Sequence, residues 1–299
     1  MPTTPQADRD ARMVGEVIDW FATEARDLPW RRSDCSPWGV LVSEVMLQQT
    51  PVVRVEPVWR EWMARWPTPA ALAADEQADA VRAWGRLGYP RRAKRLWECA
   101  VALVERHRGS VPADEGTLLA LPGIGAYTAA AVAAFAYGRR ATVLDTNVRR
   151  VIGRAWEGRP LPALHQTVGE REHASSLVPD DASRAVAWAA GSMELGALVC
   201  TARVPRCDEC PLAADCRWLA EGATGLEQAP RKVQPWHGTD RQVRGRIMAL
   251  LRAAHVPVTV TGHASLEDVE PGQLDSCLES LVEDGLVRLV DEERGAYAL

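Results

Sequence analysis

Residues 116–151, GTLLALPGIGAYTAAAVAAFAYGRRATVLDTNVRRV, place the tightest limit on how this chain can fold. Leu121-Pro122-Gly123-Ile124-Gly125 predicts a sharp turn between two helical runs. Pro122 suits a helix end, and the two glycines permit positive φ and close approach by another backbone. The run 126–136 is apolar nearly all round and built of small residues, which predicts a buried central helix. Its first N–H groups lack intrahelical partners and would face whatever lies beyond the glycines, where a phosphate is a natural guest. On these residues alone a plain helix–turn–helix corner fits equally well.

A chain of 299 residues can bury a substantial core and hold two or three domains. Helix formers dominate, and strand-like alternation is scarce before residue 255, so an all-α body is expected. No run of about 18 apolar residues indicates a membrane span, and MPTTPQADRDARM has no apolar signal core. The net charge is −5, yet from Thr239 onward there are six Arg/Lys and eleven Asp/Glu, which accounts for all of it. Residues 1–238 are neutral, so bulk charge gives no support for nucleic-acid binding and local clusters must carry that argument.

Two carboxylates stand out by setting. In Trp38 to Thr50, WGVLVSEVMLQQT, Glu44 is the only charged residue. Such a glutamate sits either at the solvent edge or against an apolar wall, where its pKa rises and it can hold a proton near neutral pH. Asp145 precedes Thr146-Asn147-Val148-Arg149, the start of another helix, and reads as an N-cap stabilised as the anion. Thr50-Pro51 likewise reads as an N-cap followed by Pro at the first helical position. Trp59, Trp62 and Trp66 on the following helix are expected in the core. Beyond a break at Leu87-Gly88-Tyr89-Pro90, Arg91, Arg92, Lys94 and Arg95 suit phosphates or an ordinary solvated face equally.

Seven cysteines, four of them clustered, argue for a metal cofactor in a reducing compartment rather than disulfides. Cys200, Cys207, Cys210 and Cys216 form a C-x6-C-x2-C-x5-C array. Four thiolates at that spacing bind metal; zinc is the generic guest, and the spacing matches neither common ferredoxin pattern. Cys35, Cys99 and Cys277 are expected to be ordinary thiols. Residues 222–238 are Gly/Pro-rich and read as a linker. Past it, helices are expected at about 241–254 and 273–285, with a hairpin-like ending around Glu293-Arg294-Gly295. The second of those helices carries Asp275, Glu279, Glu283 and Asp284, a poor face for a phosphate backbone and better suited to packing or a protein partner.

Taken in order, Ser43-Glu44-Val45-Met46-Leu47-Gln48-Gln49-Thr50, the Pro-Gly-Ile-Gly hairpin, Tyr127, Asp145 and the cysteine array resemble the helix-hairpin-helix base-excision DNA glycosylases over about residues 12–220. The branch that also cuts the strand has lysine at the Tyr127 position. Tyr127 therefore points to the monofunctional adenine DNA glycosylase branch. The resemblance implies an all-α, two-module fold: 1–32 and 142–228 as an iron–sulfur module, 33–141 as a helical module bearing the hairpin, and a linker at 229–238. A small winged-helix-like α+β unit would follow at 239–299, where the typical member has a Nudix-like domain with a Phe-Ser-His segment that this chain lacks.

The resemblance also assigns roles. Glu44 would protonate adenine, and Asp145 would stabilise the oxocarbenium-like sugar, the two being pushed toward acid and base forms respectively. Tyr127 would shape and polarise the site, and Asn147 would orient Asp145 or the nucleophile. Arg26, Trp30 and Arg31 would lie along the base pocket. Gln48, Gln49, Thr50, Leu87, Tyr89, Arg91, Gly123, Gly125, Arg203 and Arg206 would contact DNA, with Tyr89 wedged beside the partner base. The four cysteines would hold a structural [4Fe–4S] cluster. The implied substrate is double-stranded DNA with A:8-oxoguanine or A:G mispairs, bound by a cytoplasmic monomer. Two departures stand out: Pro90 replaces a second Tyr, and Ala190 stands where Glu or Gln often touches the extruded adenine. The competing readings are an endonuclease III-like glycosylase-lyase acting on damaged pyrimidines, and a DNA-binding scaffold without catalysis.

Overall fold

The computed structural model describes residues 5–226 and 237–299, so most of the expected linker at 229–238 falls outside the described residues. Helices form wherever apolar residues recur three and four apart among good helix formers. In chain order they are α1 (Pro5–Glu24), α2 (Pro37–Leu47), α3 (Val52–Arg65), α4 (Pro69–Ala74), α5 (Gln77–Trp84), α6 (Arg91–His107) and α7 (Glu115–Leu119). Then follow α8 (Ala126–Tyr137), α9 (Thr146–Ala155), α10 (Val168–Ser176), α11 (Ala182–Leu198), α12 (Arg217–Ala220), α13 (Asp240–Ala253) and α14 (Pro271–Glu283). Three short strands, β1 (Val258–Thr259), β2 (Arg288–Asp291) and β3 (Ala296–Ala298), make one antiparallel sheet in the order β1-β3-β2. Among the described residues no helix is long and apolar enough to cross a membrane.

The chain divides into two compact units, one of residues 5–44, 112–120 and 124–226, the other of residues 45–111, 121–123 and 237–299. Residues 33–44, 112–120 and 124–141, expected in the helical module, thus lie in the first unit. The reason is visible in the packing of α8. Its small residues Ala130, Ala131 and Ala134 bury against Ala189 of α11, as the all-round apolar run predicts. A second cluster in the same unit joins Val14 and Val17 of α1, Val148 and Val151 of α9, and Trp188 and Leu195 of α11.

In the second unit Trp62 stacks edge-on against Trp66 and Trp84, with centroids 4.8 and 5.6 Å apart, so the tryptophans of α3 are core as expected. Residues 239–299, expected as a domain of their own, pack onto α5 and α6. The attachment is polar. Asp284, at the C-terminal end of α14, is ion-paired with both Arg91 and Arg244. Lys94 Nζ donates to the Asp284 carbonyl at 2.8 Å, and Gln77 Nε2 donates to the Gly285 carbonyl at 2.7 Å. Asp284 therefore leaves the solvated acidic face expected of α14, while Asp275, Glu279 and Glu283 remain exposed.

Of the two hairpin glycines only Gly123 has positive φ (76°), and a Cβ there would lie 2.6 Å from Arg95 Cβ, so the turn is pressed onto α6. Gly125 is extended, caps α8 without a side-chain bond, and a Cβ added to it would meet open space. The expected Thr50 cap does not form: α3 starts after Pro51, and Thr50 Oγ1 bonds the Gln48 and Leu87 carbonyls at 3.2 and 3.4 Å.

Candidate active site

Three side chains from different helices of the first unit meet around Glu44. Glu44 lies in the middle of α2, where residues 39–46 are all buried, and it is itself only 4% exposed. Tyr127, in the first turn of α8, donates from Oη to Glu44 Oε2 at 2.7 Å, and Tyr127 Oη also lies 3.4 Å from Met193 Sδ of α11. Burial pushes the Glu44 carboxyl up to about 7. The Tyr127 bond pulls it back, the nearby Asp145 charge pushes it further up, and Arg31 draws it down. Burial also raises the Tyr127 phenol well above its ordinary range, so Tyr127 remains the proton donor in this pair. The apolar wall, one of the two settings open to Glu44 on sequence, is the one observed.

Asp145 caps α9 as expected: Oδ1 accepts from Val148 N and Oδ2 from Asn147 Nδ2, each at 2.7 Å. Its expected displacement toward the anion needs correction. Burial raises the Asp145 pKa, and the cap bonds from Val148 and Asn147 together with the Arg150 charge only oppose that rise. The N-cap argument counted the bonds and the helix dipole but not the dry surroundings. The two carboxyls are thus both raised, with Glu44 the one given no cap bonds from backbone N–H groups.

Arg26 and Arg31, expected along the base pocket, converge on Glu194 of α11. Arg26 Nε and Nη2 donate to Glu194 Oε1 and Oε2 at 2.8 Å, and Arg31 Nη2 adds a third bond at 2.8 Å. Glu194 is 1% exposed, and despite its burial the arginine bonds hold it down to about 2. Trp30 is buried beside them. Sequence reading missed Glu194, although the signal that singled out Glu44 was present: it is the only charged residue between Ala185 and Val199.

The four cysteines line one hollow together with Arg154, Val199, Trp218 and Leu219. Among the described residues no three Cys, His, Asp or Glu side chains gather closely enough for a single metal ion. Four cysteines lining one hollow fit a thiolate-bound metal centre. Two arginines of α9 tie this loop down, and neither was anticipated. Arg154 Nη1 lies 3.4 Å from Cys200 Sγ and donates to the Thr201 carbonyl at 2.8 Å. Arg150 Nε donates to the Cys200 carbonyl at 2.7 Å, while its Nη2 donates to Asn147 Oδ1 at 2.8 Å. A hydrogen-bonded line therefore runs from Cys200 through Arg150 and Asn147 to Asp145. Arg203 is exposed as a DNA contact requires, but Arg206 turns onto its own loop, bonding the Leu198 carbonyl and Glu209.

Apart from Gly125, the second unit holds the other expected DNA contacts. Gln49 and Tyr89 both have positive φ, 55° and 49°, an uncommon and strained state for such residues. Arg92 explains how both turns persist. Its guanidinium donates to the carbonyls of Val45, Met46, Gln48 and Gly88 and to Thr50 Oγ1. Arg92 is therefore an internal clamp rather than a phosphate contact. Arg91 is tied to Asp284, and Arg95 pairs with Glu98 at 3.0 Å, so the basic cluster is largely committed within the protein. Leu87 is buried, whereas Gln49 and Tyr89 (51%) are exposed.

Comparison with known proteins gives the family. The sequence model of the HhH-GPD superfamily of base excision DNA repair proteins matches residues 42–169, a span that includes Glu44, Tyr127 and Asp145. The adenine DNA glycosylase of Mycolicibacterium smegmatis is 51% identical over 287 residues, covering 95% of each chain. The adenine DNA glycosylase of Mycobacterium tuberculosis strain H37Rv is 48% identical, covering 95% of this chain and 92% of that one. Among solved structures, a thermostable thymine-DNA glycosylase superposes with a TM-score of 0.65 at 26% identity, covering 73% of this chain and all of the other. The chain belongs to the adenine DNA glycosylase family, within the HhH-GPD superfamily of base-excision repair proteins.

Proposed function

We propose that this protein is a monofunctional glycosylase that removes adenine mispaired with 8-oxoguanine or guanine. The observation that carries the reading is a buried Glu44, held by Tyr127 and facing Asp145, with its pKa near neutrality. The adenine is rotated out of the duplex at a cost of a few kcal/mol that pocket contacts offset. Tyr127 occupies Oε2 of Glu44, so the proton to be transferred belongs on Oε1. Glu44 gives that proton to N7 of the base as the C1′–N9 bond breaks, and the bonding pair leaves with the base. Asp145 faces the cationic sugar, its orientation fixed by Val148 N and Asn147. Water then adds at C1′ and loses its proton to the Glu44 carboxylate, leaving an abasic site and the starting acid.

Cys200, Cys207, Cys210 and Cys216 would hold a [4Fe–4S] cluster, which when bound supplies a rigid cross-link for the loop between them. Arg203, Gln49, Tyr89 and the uncapped α8 start behind Gly125 are the contacts left for DNA, and a helix N-terminus of that kind suits a phosphate. Residues 239–299, two helices and a three-stranded antiparallel sheet, support a winged-helix-like unit whose exposed Asp275, Glu279 and Glu283 suit a protein partner. Cytoplasmic action as a monomer on the chromosome completes the reading.

The test is incubation with a duplex carrying one A:8-oxoguanine pair. Adenine should be released, with strand breakage only after alkali and no borohydride-trapped adduct. A trapped adduct, or release of a damaged pyrimidine but not of adenine, overturns the reading. Visible charge-transfer absorbance that is lost on Cys210→Ser separates iron from zinc.

A further inference from the structure

Residues 239–299 touch the rest of the second unit beside Tyr89. The Gly88–Tyr89 turn takes two consecutive positive φ values, 84° and 49°, and leaves the tyrosine half exposed. It is braced from within: Trp84 Nε1 donates to the Gly88 carbonyl at 2.9 Å, and Arg92 Nη2 adds a bond at 3.2 Å. A strained, braced, exposed ring is a feature that folding alone does not require. Two guanidiniums stand over that ring, Arg92 at 5.4 Å and Arg241 at 5.6 Å from its centroid. Arg92 is turned inward onto carbonyls. Arg241 is exposed, in the first turn of the 14-residue helix α13, where the helix dipole adds positive potential.

The other arginines of α13 serve packing. Arg244 pairs with Asp284, Arg246 with Asp268, and Arg252 donates to the Gly85 carbonyl. The exposed acids of α14 would repel a phosphate backbone. Arg241, exposed at the start of α13 beside Asp240, is where this helix meets the Tyr89 turn. Resting on the DNA-repair reading above, we propose that Arg241 carries the module's contact with DNA, its guanidinium, seated over Tyr89, meeting a phosphate next to the partner base beside which Tyr89 is wedged. An aromatic ring with an adjoining cation combines base stacking and backbone anchoring in one surface. The module would then take part in substrate binding through α13, while α14 does not.

The test measures binding of a duplex with one A:8-oxoguanine pair by the full chain in a Glu44→Gln background, so that the substrate is not consumed. Arg241→Ala should raise Kd about five- to tenfold at ~0.1 M salt and lower the slope of log Kd against log salt by about one. Arg241→Glu should lose more, and Arg241→Lys should recover the salt slope but only part of the affinity. In a Tyr89→Ala background Arg241→Ala should add less than about twofold, because the ring no longer seats the guanidinium. An Arg241→Ala Kd within about twofold of the parent with an unchanged slope overturns the proposal, as does full additivity with Tyr89→Ala. Adenine release by the unsubstituted chain is scored on the same duplex. Failure of release with the Arg241 effect intact overturns the assigned activity and leaves this contact standing.

Discussion

Tyr127 gives its one hydroxyl proton to Oε2 of Glu44, across 2.7 Å. Since that bond is strongest to the anion, it opposes the burial that keeps Glu44 protonated. Tyr127→Phe should therefore move the alkaline limb of the excision profile to higher pH. Its rate at pH ~6 should fall by no more than about tenfold, the magnitude of one hydrogen bond. Single-turnover rates across pH check both parts, and a limb displaced to lower pH contradicts the arrangement.

Keeping an acid for catalysis costs stability. Glu44 has a folded pKa of about 7 against an ordinary 4.5, so the folded state binds its proton more tightly than the unfolded one. The stability this lends is fully present below pH 4.5 and is lost as pH rises through 7. Relative to the wild type, Glu44→Gln should gain on the order of 3 kcal/mol between acid and alkaline conditions. Denaturant unfolding of both proteins with their native metal content, at pH ~5 and ~8, measures the difference.

The bond from Asn147 Nδ2 to Asp145 Oδ2 is the last link of the line that begins at the Cys200 carbonyl. Asn147→Ala removes one of the groups opposing the rise of the Asp145 pKa. Excision should drop about 30-fold, equivalent to ~2 kcal/mol for a hydrogen bond to a charged group, with duplex Kd nearly unchanged. Equal losses in Kd and rate would place Asn147 in DNA binding instead.

Gly196 lets α11 lie directly on α9: a Cβ there would sit 2.7 Å from Asn147 Cβ and 2.9 Å from its carbonyl oxygen. Gly196→Ala should destabilise the protein by about 1–3 kcal/mol through overpacking. It should also reduce excision more than Gly169→Ala does, because Gly169 faces open space. Thermal unfolding and single-turnover rates on the two variants decide this.

Glu44 and Asp145 could be read from the sequence because local pattern expresses their setting, an acid alone on an apolar helix and an acid at a helix start. The cysteine array and the small-residue helix were legible for the same reason. Glu194, Arg150 and Arg154 were not singled out, and Arg92 was read only as one of a basic cluster, since what defines each is a partner 40 to 170 residues away. Thr50 shows the opposite failure: its local cap pattern was right in kind, but Arg92 and the Leu87 carbonyl take the hydroxyl. The direction of the Asp145 shift was misjudged because burial is a tertiary property and cap bonds are local ones.

The account rests on a buried carboxyl that holds its proton near neutrality and delivers it to the base. The most direct test is the single-turnover rate of adenine release from an A:8-oxoguanine duplex, measured at saturating enzyme from pH ~5 to ~9. The prediction is a rate that is level below about 7 and declines about tenfold per pH unit above it, with Glu44→Gln releasing no adenine at any pH. A wild-type rate unchanged from pH ~7 to ~9, or substantial release by Glu44→Gln, would contradict it.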